Sequence, residues 1–308
     1  MAREISRAKP VAEASDRGRL RAVGLIGYPV AHSLSPLMHN AAFRATGFPG
    51  VYLLFPVASE NLSWAVQGLK ALDLLGANVT IPYKSQVMEY LDEISPLAAA
   101  TGAVNTIHND GGRLVGYNTD VSGFLASLEE YGLDVCGWDC VLLGAGGACL
   151  AVGVALLQAG ARSITVLARR AEQAQHTAEH LARLAGEWQM DCRLDWGLLQ
   201  RPAEAGAVVQ PAQLLVNTTP YGMWPRVEST PLVPAEWLRS LRAVYDLVYN
   251  PRETALLAAA RAEGVLAVGG ESMLVHQGAA AFSIWTQLAA PLAEMRGAVE
   301  QALARSDA

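Results

Sequence analysis

Residues 139–160 read DCVLLGAGGACLAVGVALLQAG. The stretch opens as an apolar run of strand length, breaks at Gly144, Gly146 and Gly147, and resumes as an apolar run of helical length. A strand passing through glycines into a helix points to an α/β sheet. The charge-free interval from Cys140 to Ala161 has the length of a bilayer span. Its clustered small residues suit a strand-to-helix turn better than lipid, so no membrane span is expected.

The alternation continues on both sides. AVGLIG (22–27) is strand-like, and SPLMHNAAFRATG (35–47) is a helix with Ser35 as N-cap, Pro36 in its first position and Gly47 closing it. VYLLFPV and GANVTIP read as strands around a helix at 59–72, a further helix is expected near 84–91, and AVNTIH and RLVGYN form a strand pair about Gly111 and Gly112. A second series starts near 121 with a helix, the 139–160 unit, SITVLARR, a helix over 171–187, LLVNTTP, AVYDLVYN, a helix at 254–264 and LAVGG. The fold class is α/β with mostly parallel strands. The expected division is a substrate domain at 21–121, a Rossmann-like nucleotide domain at 122–272, and C-terminal helices over 273–308 returning to the first domain. Residues 1–20 mix charge with alanine, carry no apolar signal core, and are expected to be a mobile extension.

Apolar residues make up 52% of 308, enough for a large core, and the net charge of -6 offers no basic field to a nucleic acid. A small-molecule partner is the default. Cys136, Cys140, Cys149 and Cys192 form no C-x-x-C pair and read as reduced, mostly buried thiols of a cytoplasmic protein. HTAEH places His176 and His180 on one helical face in a zinc-hydrolase pattern, but on a polar helix that reads as solvated, so no metal is expected. His32 and His276 read as structural.

The glycine turn suits a dinucleotide. Backbone N–H groups at Gly144, Ala145, Gly146, Gly147 and Ala148 can approach a pyrophosphate, and the helix N-terminus adds partial positive charge. Cys149 stands where G-x-G-x-x-G has its third small residue. The next strand ends in Arg169 and Arg170 with no acid before Glu172. Guanidinium groups match a 2'-phosphate, so NADP is favoured over NAD.

In the first half, AHSLSP, GANVTIPYK, GAVNT and GYNTD each end or interrupt an apolar run with hydrogen-bonding side chains. Ligands of α/β sheets lie beyond the carboxyl ends of strands. Ser33, Ser35, Asn78, Thr80, Lys84, Asn105 and Asp120 are therefore candidates for one pocket. Oxidising an alcohol with a nicotinamide needs a base for the hydroxyl proton, and the reverse needs an acid. Lys84 and Asp120 can form that pair, with Asp120 holding the amine in position.

GYPVAHSLSP, GANVTIPYK, GAVNT, GYNTD, GAGGA, NTTPYGM, YDLVYNP and MLVHQG occur in the order found in the shikimate dehydrogenase family, which the chain resembles from about residue 22 to 290. The resemblance implies reversible NADPH-dependent reduction of 3-dehydroshikimate to shikimate. Lys84 matches the catalytic lysine and Asp120 its partner. Ser33, Ser35, Thr80 and Tyr249 match holders of the substrate carboxylate, Asn105, Asp120 and Gln277 holders of the ring hydroxyls, and Asn78 shares their motif. Thr218, Leu247, Gly270 and Met273 fall on the cofactor side. Two departures stand out. Ala168, Arg169, Arg170 and Gln173 replace a more usual N-R-T followed by a second basic residue, which leaves NAD open as a second cofactor. Gly269 stands where an aspartate is common. The alternatives are a quinate/shikimate dehydrogenase using NAD or both cofactors, and a silent nucleotide-binding regulator. Retention of both Lys84 and Asp120 argues against the latter, and oligomeric state is open, a homodimer included.

Overall fold

The computed structural model describes residues 20–306, and the proposed N-terminal extension lies, but for Leu20, outside them. The first part of the chain runs β1 (Arg21–Gly27), α1 (Ser35–Thr46), β2 (Gly50–Pro56), α2 (Leu62–Ala71), β3 (Gly76–Val79), β4 (Glu93–Ile94), α3 (Pro96–Thr101), β5 (Thr106–Asp110) and β6 (Arg113–Tyr117). It continues as α4 (Asp120–Glu130), β7 (Asp139–Leu143), α5 (Gly147–Gln158), β8 (Ser163–Ala168), α6 (Ala171–Glu187), β9 (Arg193–Leu198), α7 (Pro202–Val209), β10 (Leu214–Asn217), β11 (Ala243–Asp246), α8 (Ala255–Ala262), β12 (Leu266–Gly269), α9 (Glu271–Thr286) and α10 (Leu292–Ser306).

Two six-stranded sheets result, in the orders β2-β1-β3-β5-β6-β4 and β12-β11-β10-β7-β8-β9. Every pairing of the second is parallel. Its strands β7, β10 and β11 are almost wholly buried, as helices on both faces require. The first sheet is mixed, because β5 runs antiparallel to both β3 and β6. The hairpin at Gly111 and Gly112, both at positive φ, reverses the chain there.

Several sequence expectations change in detail. Residues 86–90 form a short 3-10 turn in place of the helix over 84–91. Ser35 is not a cap but the first helical residue, and the Ser33 hydroxyl accepts its backbone N–H at 3.2 Å. Gly47 does close that helix, in the left-handed region at φ 69°. β9 went unread because RLDWGL is an edge strand with exposed polar residues and no apolar run. Of the cysteines, only Cys140 and Cys149 are buried, Cys136 is exposed and Cys192 partly covered, and all four are free.

The C-terminal helices return to the first sheet. Met38, Ala42 and Phe43 of α1 share one core with Val275, Phe282 and Trp285 of α9 and Met295, Val299 and Leu303 of α10. Burying a side chain the size of Phe282 stabilises such a joint by roughly 1.5–3 kcal/mol. Where α4 crosses α9, a Cβ on Gly123 would stand 2.7 Å from Gln277 Cβ, so only glycine lets the helices approach this closely. Glu130 Oε2 accepts from Ser272 and His276 of α9, both at 2.8 Å, and from Arg296 of α10 at 2.7 Å. Partial burial works against ionisation there, but these donors hold the Glu130 carboxyl below its usual range. His276 therefore has the structural place expected of it. Among the described residues, no group of histidine, cysteine and carboxylate side chains could hold a metal, and no helix is long and apolar enough to cross a membrane.

Candidate active site

Residues at or just beyond the carboxyl ends of β1, β3, β11 and β12 line one cavity of about 230 Å³. Ser33, Ser35, Asn78, Thr80, Lys84, Asn105 and Asp120 line one wall, and Ala148, Leu247, Tyr249, Gly270, Met273 and Gln277 line the other. Leu25, Val79 and Leu274 complete it. These three carried no signal in the sequence, since apolar lining residues look like core.

Lys84 Nζ donates to Asp120 Oδ2 at 2.6 Å across 36 residues of chain. Their side chains are 23% and 11% exposed, enclosed yet reachable from the cavity. Both are held from behind. Tyr83 is buried with its hydroxyl on the Val57 carbonyl at 2.6 Å, and the Lys84 carbonyl accepts from Val104 N at 2.8 Å. Asp120 opens α4, its backbone N–H given to Asn118 Oδ1 at 3.0 Å, and its Oδ1 accepts from Asn105 Nδ2 at 2.8 Å. The two donors fix the plane of the carboxylate.

Ser33 donates to Ser35 at 3.2 Å at the start of α1. Thr80 follows β3, and a side chain on Gly27 would overlap its methyl, so Gly27 makes the room it needs. Asn78 differs from the expectation of a side chain free to meet ligand. Its Oδ1 accepts from Tyr52 Oη at 2.8 Å, and its Nδ2 donates to the Asn105 carbonyl at 3.0 Å and to Thr106 Oγ1 at 2.9 Å. It shapes the wall with its hydrogen bonds already made. Tyr52, Thr106 and Thr119 are the polar residues the sequence reading missed: Tyr52 sits in what reads as a plain strand, while Thr106 and Thr119 lie unremarked inside quoted motifs. Gln277 Nε2 donates to Leu274 O at 2.9 Å, and its Oε1 has only a long 3.5 Å contact from Thr119. The Tyr249 phenol is pushed up by burial.

The glycine turn lies on the other wall. Gly144 takes φ +110°, and a Cβ there would stand 2.7 Å from Thr218 Oγ1. Thr218 in turn donates to the Leu143 carbonyl at 2.7 Å, closing the turn over the β7 end. Gly146 caps α5 without a side-chain partner, and Gly146 and Gly147 are exposed, leaving first-turn N–H groups open to an anion. Cys149 is fully buried in the strand–helix core, so it fills the place of the third small residue by packing. Ala145 accepts from Thr177 at 3.3 Å. Arg169 and Arg170 are exposed just past β8, and neither guanidinium is paired with a carboxylate among the described residues. A glycine cradle, a free helix N-terminus and two free guanidinium groups fit a dinucleotide carrying an extra phosphate. At the end of β11, Asp246 is buried and its carboxyl pushed up to about 6 by desolvation, against donors from Thr254, Val248 N and Asn217. It ties the ends of β10 and β11 together.

The HTAEH pattern does not form a site. His180 Nε2 lies 2.6 Å from the Ala100 carbonyl, and His176 is exposed.

Known proteins share this arrangement. A family described as the shikimate dehydrogenase substrate binding domain matches residues 25–107, and one described as the shikimate 5'-dehydrogenase C-terminal domain matches 270–300. A shikimate dehydrogenase (NADP(+)) of Moorella thermoacetica is 51% identical over 92% of this chain and 94% of its own. The chain belongs to the shikimate dehydrogenase family. A member from Symbiobacterium thermophilum is 48% identical over 94% of this chain and 97% of its own. Among solved structures, a shikimate dehydrogenase in complex with NADP+ superposes with a TM-score of 0.84 at 38% identity, covering 92% of this chain and 96% of that one. The Thermus thermophilus shikimate 5-dehydrogenase in complex with NADP(H) and shikimate gives 0.80 at 35% identity, covering 92% and 100%. A quinate dehydrogenase of Corynebacterium glutamicum in complex with NAD gives 0.82 at 32%, covering 91% and 99%.

Proposed function

We infer that this protein is an NADP-dependent shikimate dehydrogenase, reducing 3-dehydroshikimate reversibly to shikimate in aromatic amino-acid biosynthesis. The observation that carries the reading is the 2.6 Å pair of Lys84 and Asp120 inside a cavity lined from both halves of the chain. In the reducing direction NADPH supplies the hydride when bound, with Leu247, Gly270 and Met273 beside the nicotinamide. Lys84 Nζ then gives a proton to the oxygen of the reduced carbonyl, and in the oxidising direction it takes the hydroxyl proton back. Asp120 holds the amine at that oxygen.

Ser33, Ser35, Thr80 and Tyr249 offer hydroxyl groups to the substrate carboxylate, and Asn105, Asp120 and Gln277 face its ring hydroxyls. Asn78 acts as a wall. Gly144 to Ala148, with Thr218 behind them, take the pyrophosphate, and Arg169 and Arg170 the 2'-phosphate. The corresponding division of the chain is 21–121 with 273–308 as the substrate domain and 122–272 as the nucleotide domain. Four free cysteines accord with a cytoplasmic enzyme. Initial rates with shikimate and quinate against NADP and NAD test the reading. It predicts the highest kcat/KM for shikimate with NADP, and a preference for quinate with NAD would replace it.

A further inference from the structure

Behind the cavity, the polar side chains form a chain in which every proton points the same way. Tyr52 Oη donates to Asn78 Oδ1 at 2.8 Å. Asn78 Nδ2 donates to Thr106 Oγ1 at 2.9 Å, Thr106 to Asn105 Oδ1 at 3.1 Å, and Asn105 Nδ2 to Asp120 Oδ1 at 2.8 Å.

That direction is imposed from its end. An ionised carboxylate only accepts, so Asn105 must present its NH2 to Asp120 and its carbonyl oxygen to Thr106. Asn78 must turn its NH2 to Thr106, because the same nitrogen donates to the Asn105 carbonyl at 3.0 Å and a carbonyl only accepts. The Asn78 carbonyl then faces Tyr52, whose single O–H is the donor that satisfies it. The backbone N–H of Thr119, 2.8 Å from Asn105 Oδ1, supports the same orientation. Hydrogen bonds in such a buried series polarise one another, so a break at one member is felt at the next.

The backbone and ring of Tyr52 are gripped as well. Asn40 clamps its backbone, accepting from Tyr52 N at 2.8 Å and donating to Tyr52 O at 3.1 Å. The His39 ring lies flat against the phenol, centroids 4.5 Å apart and planes within 5°. Both His39 nitrogens are buried without a hydrogen-bond partner among the described residues, so its contribution here is the shape of its ring.

We propose that Tyr52 is a positioning residue for the reaction: its hydroxyl, bonded to Asn78 Oδ1, holds the amide orientations that aim Asn105 at Asp120. Tyr52 touches neither reacting group and acts through two asparagines and a threonine. The inference rests on reading Lys84 and Asp120 as the proton-transfer pair.

Tyr52→Phe keeps the ring, its stack on His39 and the Asn40 clamp, and removes only the donor. It is expected to lower kcat about tenfold while the KM for shikimate changes less than about threefold. Thr106→Val, which breaks the same chain at a second point, is expected to give the same split between kcat and KM. The double variant should be no worse than the poorer single one, since both cut one path. Wild-type kcat in Tyr52→Phe, or losses that multiply in the double variant, would overturn the proposal. Should Tyr52→Phe fail to fold, Thr106→Val decides through the same split, and wild-type kcat there would overturn the proposal. Lys84→Ala, measured alongside, separates the two claims. If it retains turnover, the proton-pair reading fails; if it is inactive while Tyr52→Phe is unchanged, only the role of Tyr52 fails.

Discussion

The α-carbon of Gly270 faces the carbonyl of Leu247 so closely that any Cβ at position 270 would overlap that oxygen. The Gly270 N–H also donates to Val248 O at 3.1 Å, which locks the approach. Both Leu247 and Gly270 line the cavity on the side assigned to the nicotinamide. Gly270→Ala must push the β11 end and the α9 start apart. The expected cost is roughly 1–3 kcal/mol in urea unfolding, the range for overpacking, together with a raised KM for NADP. A variant with wild-type stability and wild-type KM would show that the contact has no consequence.

Arg169 and Arg170 are exposed just beyond β8, and the proposed function gives them the 2'-phosphate. Arg169→Ala is expected to raise the KM for NADP about tenfold and leave that for NAD nearly unchanged, because only NADP carries the phosphate that a guanidinium grips. Steady-state kinetics with both cofactors check this. Equal effects on the two would mean that Arg169 does not meet that group.

His39 gives a pH dependence with a definite sign. Burial lowers its pKa from 6.5 to about 3, so between those values the unfolded chain binds a proton that the folded chain does not. Its neutral form is compatible with folding at pH 7, and stability is lost as pH falls through 6.5 towards 3. From pH 7 to pH 5 the loss is about 2 kcal/mol. Asp246, with its carboxyl raised to about 6, works in the opposite direction over part of the same range. Comparing wild type with His39→Phe cancels that contribution. Urea unfolding at pH 7 and pH 5 should show the wild type losing about 2 kcal/mol more than the variant. Parallel losses would place the acid sensitivity elsewhere.

How much of this was legible in the sequence depends on what each residue does. The 139–160 unit reads correctly because strand, glycines and helix each leave a local signature, and the structure follows it to within a residue or two. The antiparallel run of β5 has no such mark: AVNTIH looks the same in either direction, and only pairing decides. Lys84 and Asp120 could be picked out because charged groups at strand ends need a reason. Tyr52 could not, since an aromatic residue in a strand is ordinary and its role depends on Asn78, which is brought to it by the fold. Asn78 was noticed for the right reason, its polarity in a buried strand, but only the structure gives its three partners. The β9 edge strand was lost because its polar, exposed sequence carries no core pattern.

The central claim is that Lys84, held by Asp120 at 2.6 Å, moves the proton. Lys84→Met keeps most of the side-chain volume and removes the amine. Turnover of shikimate with NADP, measured beside shikimate binding by calorimetry, is the most direct test. The account predicts a fall in kcat of about 10²–10⁴-fold, the usual range for losing a positioned acid–base group, with the dissociation constant for shikimate within about tenfold of wild type. A variant that binds shikimate and turns it over at the wild-type rate would contradict it.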